Sequence, residues 1–180
     1  MIILASKSPR RRELLGYITQ DFEIKSAEVD ETLPEGISPR NAVEYLSRIK
    51  AEPFRNDKDI VIGADTVVAI DNRILGKPAD ISDAKSMLRL LSDRKHIVFT
   101  GVTVIKGEKT QTFSEATEVK FSPLTDEEID AYITTGEPMD KAGAYGIQGY
   151  GALLVEGIIG DYFNVVGLPL NHLSKVLKSI

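Results

Sequence analysis

A run of hydroxyl and cationic side chains follows the first apolar segment of the chain. Ile2 to Ala5 predicts a buried strand, and it leads directly into Ser6-Lys7-Ser8-Pro9-Arg10-Arg11-Arg12. Ser8 is a typical N-cap and Pro9 a typical first helical residue, so a helix is expected to begin here and to end near Gly16. Backbone N–H groups at a helix start, serine hydroxyls and arginines together suit an anion such as phosphate. The alternative is an ordinary serine cap beside exposed arginines.

The helical period distinguishes the three arginines. It places Arg11 on the same side as Leu14 and Leu15, with Arg10 and Arg12 flanking that side. Cations near a helix N-terminus are mildly unfavourable, so an arginine on the core side favours a bound anion over a simple cap.

A single carboxylate interrupts the most apolar stretch of the chain, Ile60 to Ile70. This stretch is rich in β-branched residues and ends at the turn Asp71-Asn72, so it predicts a central strand. A carboxylate such as Asp65 is rarely buried in a strand unless it is paired or binds a metal. Two interpretations therefore stand together: a functional carboxylate, and a strand-end aspartate satisfied by neighbouring N–H groups or a lysine.

The tripeptide Gly76-Lys77-Pro78 holds a lysine within a turn. It lacks the spaced glycines and the Ser/Thr of a P-loop, so an ATPase of that type is excluded, and a surface turn is the alternative. The chain has neither a serine-hydrolase elbow nor a metalloprotease helix motif. Its two histidines, His96 and His172, lie in apolar runs and are predicted to be core or surface residues, not ligands.

Composition limits the chemistry further. The 180 residues include no Cys, which excludes disulfides, thiolate zinc sites and a cysteine nucleophile. A metal would need oxygen ligands, as Mg²⁺ and Mn²⁺ prefer. The net charge of −5 argues against a general nucleic-acid surface. No segment approaches the roughly 20 apolar residues of a membrane span, so a cytoplasmic protein without membrane contact is expected.

The carboxylates and cations singled out so far suit one kind of ligand. Asp65 and the acidic loop Glu28 to Glu31 suit a divalent cation, and several basic residues suit the phosphates that such a cation would bridge. Those basic residues are Arg10, Arg11, Lys50 and Lys77. Together they point to a polyphosphate ligand.

The remaining pattern predicts a mixed sheet with helices packed on it. Phe22 to Ile24 indicates a strand, and His96–Ile105 with Thr110–Phe121 indicates a long hairpin around Gly107-Glu108. Caps and apolar spacing predict four further helices. The first begins at Ser38-Pro39, carries Val43, Leu46 and Ile49 on one face and ends before Pro53, and the second is capped by Ser82 and carries Ala84, Met87, Leu88 and Leu91. The third begins at the capping box Thr125–Glu128 and ends at Gly136, and the fourth carries Leu170, Leu173, Val176 and Leu177. The segment from Gly136 to Gly167 shows no clear period. Strands interleaved with helices give an α/β (mixed α+β) fold.

Six segments of the chain resemble the Maf family of nucleoside triphosphate pyrophosphatases. They occur in the family's order and span nearly the whole chain: LASKSPRRRELL (4–15), GADTVV (63–68), GKP (76–78), HIVFTGV (96–102), TGEPMDKAGAYGIQGYGA (135–152) and NVVGLPL (164–170). The resemblance implies one domain over residues 1–180. Its fold would be like that of the inosine-triphosphatase group, with an elongated mixed sheet flanked by helices and two lobes around a cleft, in a homodimer.

The resemblance also implies a reaction and its residues. The reaction is hydrolysis of a nucleoside triphosphate between its α and β phosphates with a divalent metal, Mg²⁺, Mn²⁺ or Co²⁺. Asp65 corresponds to the proton acceptor and, with Glu31, to the metal ligands. Ser8, Arg11, Lys50 and Lys77 correspond to phosphate-binding positions. Arg10, Thr66 and Gln148 match positions that track substrate choice and resemble the branch acting on dTTP and UTP, with modified pyrimidine nucleotides as further candidates; Arg12 receives no role.

The implied role is the removal of unwanted nucleotides from the nucleotide pool, and three alternatives to it remain. One is the family branch that prefers 7-methyl-GTP, which differs at the three specificity positions. Another is a nucleotide-sensing regulator of septum formation and cell division, which the intact Asp65 disfavours. The last is nucleic-acid binding through Arg10 to Arg12, which lacks any supporting aromatic-rich or helix-turn-helix motif.

Overall fold

Seven strands form one mixed sheet through the protein. The computed structural model describes residues 1–180, and its strands are β1 (Ile2–Ala5), β2 (Phe22–Lys25), β3 (Ile60–Ile70), β4 (Arg73–Leu75), β5 (Lys95–Lys106), β6 (Lys109–Phe121) and β7 (Val155–Ile159). The order across the sheet is β2-β1-β3-β5-β6-β7, with β4 paired to the end of β3. β1 is parallel to β2 and β3, and the other pairs are antiparallel. The predicted central strand and long hairpin are confirmed.

Six helices flank the sheet. The helices are α1 (Pro9–Leu15), α2 (Pro39–Ala51), α3 (Ile81–Leu91), α4 (Asp126–Thr134), α5 (Tyr162–Val166) and α6 (Leu170–Ser179). Short 3₁₀ turns lie between α2 and β3 (Glu52–Phe54) and between α4 and β7 (Glu137–Asp140, Ala142–Ala144 and Gly149–Leu153). No helix has both the length and the apolar character needed to cross a bilayer.

Most helix starts follow the predicted caps. Ser8 and Ser38 accept hydrogen bonds from the backbone N–H groups of the third residues of α1 and α2, and the Thr125–Glu128 capping box is complete. The prediction of Ser82 as the cap of α3 was wrong. Asp80 caps this helix by accepting the Asp83 N–H at 2.8 Å, while the Asp83 carboxylate accepts the Ala79 N–H at 2.9 Å. This reciprocal pair satisfies two N–H groups, so the helix begins earlier than predicted.

Two main hydrophobic clusters lie along β3 and form the cores of two lobes. Ile62 and Ala64, from the first half of the strand, pack with residues of β1, α1 and α6. Val68 and Ile70, from the second half, pack with residues of α3, α4 and β6. Between the two halves, Asp65 and Thr66 are partly exposed, unlike the buried residues on either side of them. The middle of β3, where the two clusters meet, is therefore accessible to solvent.

Two glycines allow α2 to lie close against the sheet. A Cβ on Gly101 of β5 would lie 2.3 Å from the backbone carbonyl of Val43, and one on Gly63 of β3 would lie 2.2 Å from the carbonyl oxygen of Ser47. Both obstacles are helix backbone, which cannot rotate away as a side chain does. This approach matters for the site because α2 also carries Lys50.

The sequence predicted a core or surface position for each histidine; His96 lies in the core and His172 at the surface. His96 is buried, makes edge-to-face contacts with Phe121 and Tyr145, and its Nε2 lies 2.6 Å from the Tyr145 hydroxyl. Burial lowers the pKa of His96 to about 4. His172 is partly exposed, stacks on Phe113 and lies 2.6 Å from the Glu115 carboxylate.

Gly101→Ala should destabilise the protein because its methyl group would overlap the backbone of α2. We expect the free energy of unfolding in urea to fall by about 3 kcal/mol. Gly157→Ala is the matched control, since a Cβ on this strand glycine would meet no atom within 4 Å. Equal stability of the two variants would contradict the close packing of α2.

The buried His96 should make stability fall as the solution is acidified. Its pKa is about 4 when folded and 6.5 as the reference value, so between these values the unfolded chain takes up a proton that the folded protein lacks. The stabilisation is complete above the unfolded pKa and is lost as the pH falls toward the folded pKa. We expect a loss of about 2 kcal/mol between about pH 7 and about pH 5. Unfolding measured at both pH values should show this loss in wild type and in His172→Gln, and a smaller loss in His96→Gln.

Candidate active site

One cleft of about 960 Å³ contains every residue that the sequence assigned to a site. The cleft lies where the two lobes meet beside the middle of β3. Nine predicted residues line it: Ser8, Arg10, Arg11, Glu31, Lys50, Asp65, Thr66, Lys77 and Gln148. They come from α1 and its N-cap, from α2 and β3, and from three further loops, so the fold brings distant parts of the sequence together.

Asp65 and Glu31 both contact the ammonium group of Lys50. The Lys50 Nζ lies 2.5 Å from Asp65 Oδ1 and 3.1 Å from Glu31 Oε2. The Asp65 side chain is only 13% exposed, whereas that of Glu31 is 54% exposed and belongs to the cleft rim. The strand-end interpretation of Asp65 is wrong, because this residue is the sixth of the eleven in β3. A lysine does pair with it, as that interpretation also allowed, and the pair faces the cleft.

These two carboxylates fit one kind of metal site. They converge on a single cationic position, but no third His, Cys, Asp or Glu joins them to complete a protein-only site. Mg²⁺ is commonly held by one or two carboxylates, with the other ligands coming from water and substrate phosphates. Glu31 and Asp65 therefore suit a divalent cation that binds together with a phosphate-bearing substrate.

Arg11 is held in a fixed orientation by neutral acceptors. Its guanidinium donates to the carbonyl oxygen of Gly167 at 2.9 Å, to Ser6 Oγ at 3.2 Å and to Thr66 Oγ1 at 3.0 Å. Desolvation lowers the pKa of Arg11, while the nearby Asp65 charge acts in the opposite direction. No carboxylate contacts the guanidinium, so its positive charge remains available to an anion in the cleft.

The orientation of Thr66 depends in turn on a polar chain through the sheet. Thr66 Oγ1 lies 2.8 Å from Thr100 Oγ1, and Thr100 donates to the backbone carbonyl of Asn164 at 2.9 Å. Thr100 and Asn164 are completely buried. The hydroxyl of Thr66 is therefore engaged by protein atoms, and sequence reasoning did not identify Thr100 as its support.

Arg10 and Lys77 line the cleft with weaker constraints. The Arg10 guanidinium lies 3.6 Å from the Asp140 carboxylate. Lys77 is exposed and makes no hydrogen bond or ion pair with the protein, although the preceding Gly76 accepts the Gly143 N–H at 3.0 Å. The Gly-Lys-Pro segment is thus both a surface turn and part of the cleft wall.

Gln148 precedes the 3₁₀ turn Gly149–Leu153 and is half-buried in the cleft. Its side-chain amide makes no hydrogen bond within the protein, so both its donor and its acceptor are free for a ligand. Sequence reasoning missed Asp140 and Lys141, which also line the cleft and are joined by a 2.7 Å ion pair. Their only signal was a group of charged residues in a segment without period. Arg12 lies outside the cleft, in a separate shallow groove.

Solved structures of low sequence identity share this fold. The Staphylococcus aureus Ham1 protein matches with a TM-score of 0.54 at 14% identity, covering 99% of this chain and 98% of that one. A HAM1 protein from Coxiella burnetii matches with a TM-score of 0.53 at 16% identity and the same coverage. The expected architecture of the inosine-triphosphatase group, a mixed sheet flanked by helices with two lobes around a cleft, is confirmed.

Sequence relatives are much closer. A Bacillus cytotoxicus protein named dTTP/UTP pyrophosphatase is 53% identical over 98% of this chain and 93% of its own length. A protein of the same name from Bacillus cereus is also 53% identical, over 98% of this chain and 94% of its own length. The model of the family described as "Maf-like protein" matches residues 1–180. Because the family model matches the whole length of the chain and the relatives are 53% identical, this chain belongs to the Maf-like protein family.

Proposed function

We propose that this protein hydrolyses nucleoside triphosphates, preferentially dTTP and UTP, between the α and β phosphates. The products are a nucleoside monophosphate and pyrophosphate, and the reaction removes unwanted nucleotides from the pool, modified pyrimidine nucleotides among them. The observation that carries the proposal is the convergence of the carboxylates Asp65 and Glu31 with the cations Lys50 and Arg11 in one cleft. The names of relatives at 53% identity support the choice of dTTP and UTP.

In the proposed mechanism, Asp65 is the proton acceptor. A water oxygen attacks the α phosphorus, the bond from that phosphorus to the bridging oxygen breaks, and the water proton passes to an oxygen of Asp65. A carboxylate is a weak base toward free water. A divalent cation, Mg²⁺, Mn²⁺ or Co²⁺, held by Glu31 and Asp65 would supply charge neutralisation at the phosphates and make this water easier to deprotonate.

The cations stabilise the departing pyrophosphate. Arg11 presents a fixed guanidinium, Lys77 an unpaired ammonium at the rim, and Lys50 an ammonium beside Asp65. Such fixed charges stabilise a transition state more than mobile water does, since they need little reorganisation. The Ser8 hydroxyl, which also lines the cleft, adds a hydrogen bond to phosphate.

Base selection is assigned to Gln148, Thr66 and Arg10. The free amide of Gln148 matches the adjacent acceptor and donor, O4 and N3–H, of thymine and uracil. Thr66 acts through Arg11, whose guanidinium donates a hydrogen bond to the Thr66 hydroxyl, and so fixes where the phosphates lie relative to the base. Arg10, beside Asp140, lines the same cleft.

No specific observation favours the 7-methyl-GTP or the regulatory alternative. A single domain over residues 1–180, homodimerisation and a cytoplasmic location remain predictions. Nucleic-acid and membrane partners form no part of the proposal.

Asp65→Asn should lower turnover because asparagine cannot accept the water proton. General-base catalysis is typically worth about 10²–10⁴ in rate, so kcat for UTP should fall by roughly that factor with an unchanged circular dichroism spectrum. Asp21→Asn is the matched control, because the Asp21 side chain is exposed and pairs with no cation. Pyrophosphate release by Asp65→Asn at the wild-type rate would remove Asp65 from the mechanism.

The wild-type protein should prefer dTTP and UTP over purine triphosphates. A site built on hydrogen bonds to one base edge discriminates strongly, since a wrong base leaves its polar groups unpaired. Pyrophosphate release should be measured over normal and modified nucleoside triphosphates with Mg²⁺, Mn²⁺ or Co²⁺, and with a chelator, which should abolish it. Faster hydrolysis of purine triphosphates than of dTTP and UTP would disprove the assignment.

A further inference from the structure

A carboxylate outside the cleft holds the loop that carries Gln148. Glu137 begins the 3₁₀ turn after α4, and its side chain accepts three hydrogen bonds. The donors are the Tyr132 hydroxyl at 2.9 Å and the backbone N–H groups of Tyr150 and Gly151, each at 3.0 Å. Glu137 does not line the cleft. Its contacts instead fix the backbone that follows Gln148.

Tyr132 extends this attachment to the other side of Gln148. Its hydroxyl donates to Glu137 and also accepts the Gly146 N–H at 3.2 Å. Burial raises the pKa of Tyr132, so the hydroxyl keeps the proton that it donates. One tyrosine–glutamate pair therefore holds both ends of the loop from Gly146 to Gly151.

The loop itself is tightly folded around this pair. A Cβ on Gly151 would lie 1.9 Å from the carbonyl oxygen of Gly146, and Gly149 has a φ of +65°. The Lys141 side chain packs against the start of the loop, where its Cε would lie 2.8 Å from a Cβ on Gly146. The Lys141 Nζ donates to the Glu137 backbone carbonyl at 2.6 Å. Gln148 thus projects from a backbone that is fixed before and after it.

We propose that Glu137 is a positioning residue for base selection. It acts through the loop backbone by setting where the Gln148 amide meets the edge of the pyrimidine, and it touches no substrate itself. This inference rests on the proposed function, in which Gln148 recognises the base. Charge-assisted hydrogen bonds from N–H groups to a carboxylate are among the strong ones in proteins, which suits a group that must fix a loop without regular structure.

Glu137→Gln preserves the shape of the side chain but replaces one acceptor oxygen with an NH₂ donor. One carboxylate oxygen accepts the Tyr150 N–H, and the other accepts the Gly151 N–H and the Tyr132 O–H. Whichever oxygen is replaced, the new NH₂ group faces a donor, so at least one hydrogen bond to the loop is lost. Tyr132→Phe removes the hydroxyl while keeping the ring in the core. Glu127→Gln is the matched control, since this exposed α4 carboxylate makes no hydrogen bond or ion pair.

The test compares UTP with CTP, because these nucleotides differ only at the base edge that Gln148 is proposed to bind. In Glu137→Gln, kcat/KM for UTP should fall about tenfold, mainly through KM, since a small misplacement of a binding group weakens recognition before it affects chemistry. The UTP-to-CTP preference should fall with it. Tyr132→Phe should shift the preference in the same direction, and Glu127→Gln should leave kcat and KM unchanged.

A double-mutant cycle separates positioning from general destabilisation. In a Gln148→Ala background, Glu137→Gln should change the UTP-to-CTP preference little further, because the group that it positions is absent. Amide hydrogen exchange should show Tyr150 and Gly151 losing protection in Glu137→Gln. An unchanged nucleotide preference in both Glu137→Gln and Tyr132→Phe would overturn the positioning role, and so would an equal change in the Gln148→Ala background.

Failure of the proposed function would look different. Wild-type protein that releases no pyrophosphate from any nucleoside triphosphate would overturn the proposed function and the specificity role together. An active, UTP-selective wild type whose variants keep that selectivity would overturn the positioning role alone. If Glu137→Gln does not fold, Tyr132→Phe decides the question by the same comparison.

Discussion

Asp65 lies in the middle of the strand that both hydrophobic cores share, and the surrounding structure depends on how its negative charge is matched. Removing a carboxylate from water costs several kcal/mol unless a cation or hydrogen-bond donors compensate. Lys50 of α2 supplies the cation at 2.5 Å, which requires the helix to lie close to the sheet. Gly63 and Gly101 allow that approach. Gly63 of β3 and Gly101 of β5 therefore make possible the ion pair between Lys50 of α2 and Asp65.

The second fixed charge, Arg11, is supported in a different way. Its partners are a carbonyl and two hydroxyls, and one of these, the Thr66 hydroxyl, continues through Thr100 to the buried Asn164. Asn164 donates to the Val98 carbonyl at 3.1 Å and to Thr117 at 2.9 Å, so the chain of polar groups links α1, α5 and three strands. Neutral acceptors orient the guanidinium without cancelling its charge. A carboxylate in their place would hold the arginine as firmly but would compete with any phosphate.

Local physics explains how much of this was predictable from the sequence. Ser8, Ser38 and Thr125 cap helices through contacts within three residues, and β3 is marked by its own composition, so these features were identified. Both Asp80 and Ser82 are suitable N-caps for α3, and the hydrogen bond from the Ala79 N–H to Asp83 favours the start at Asp80. Gly136 to Gly167 was not divided into elements, because its 3₁₀ turns are held by side-chain contacts between residues 13 or 14 positions apart, such as Glu137 with Tyr150 and Gly151, and no helical or strand period reveals such contacts. Likewise, Asp65 stood out as a misplaced charge, but its contact with Lys50 fifteen residues earlier could not be read from spacing.

The net charge of the chain and the charge of the cleft have opposite signs. The whole chain carries −5, whereas six cationic side chains and four carboxylates line the cleft. Within it, Lys50, Arg10 and Lys141 are matched by carboxylates, while Lys7, Arg11 and Lys77 have no acidic partner. Unmatched cations in a confined cleft attract a polyanion more strongly than the same cations spread over an acidic surface, since low-dielectric walls focus their field. The cleft therefore suits a small polyphosphate, as the proposed function requires, better than the acidic surface does. The location of the unmatched charges, more than their number, determines which anion this protein suits.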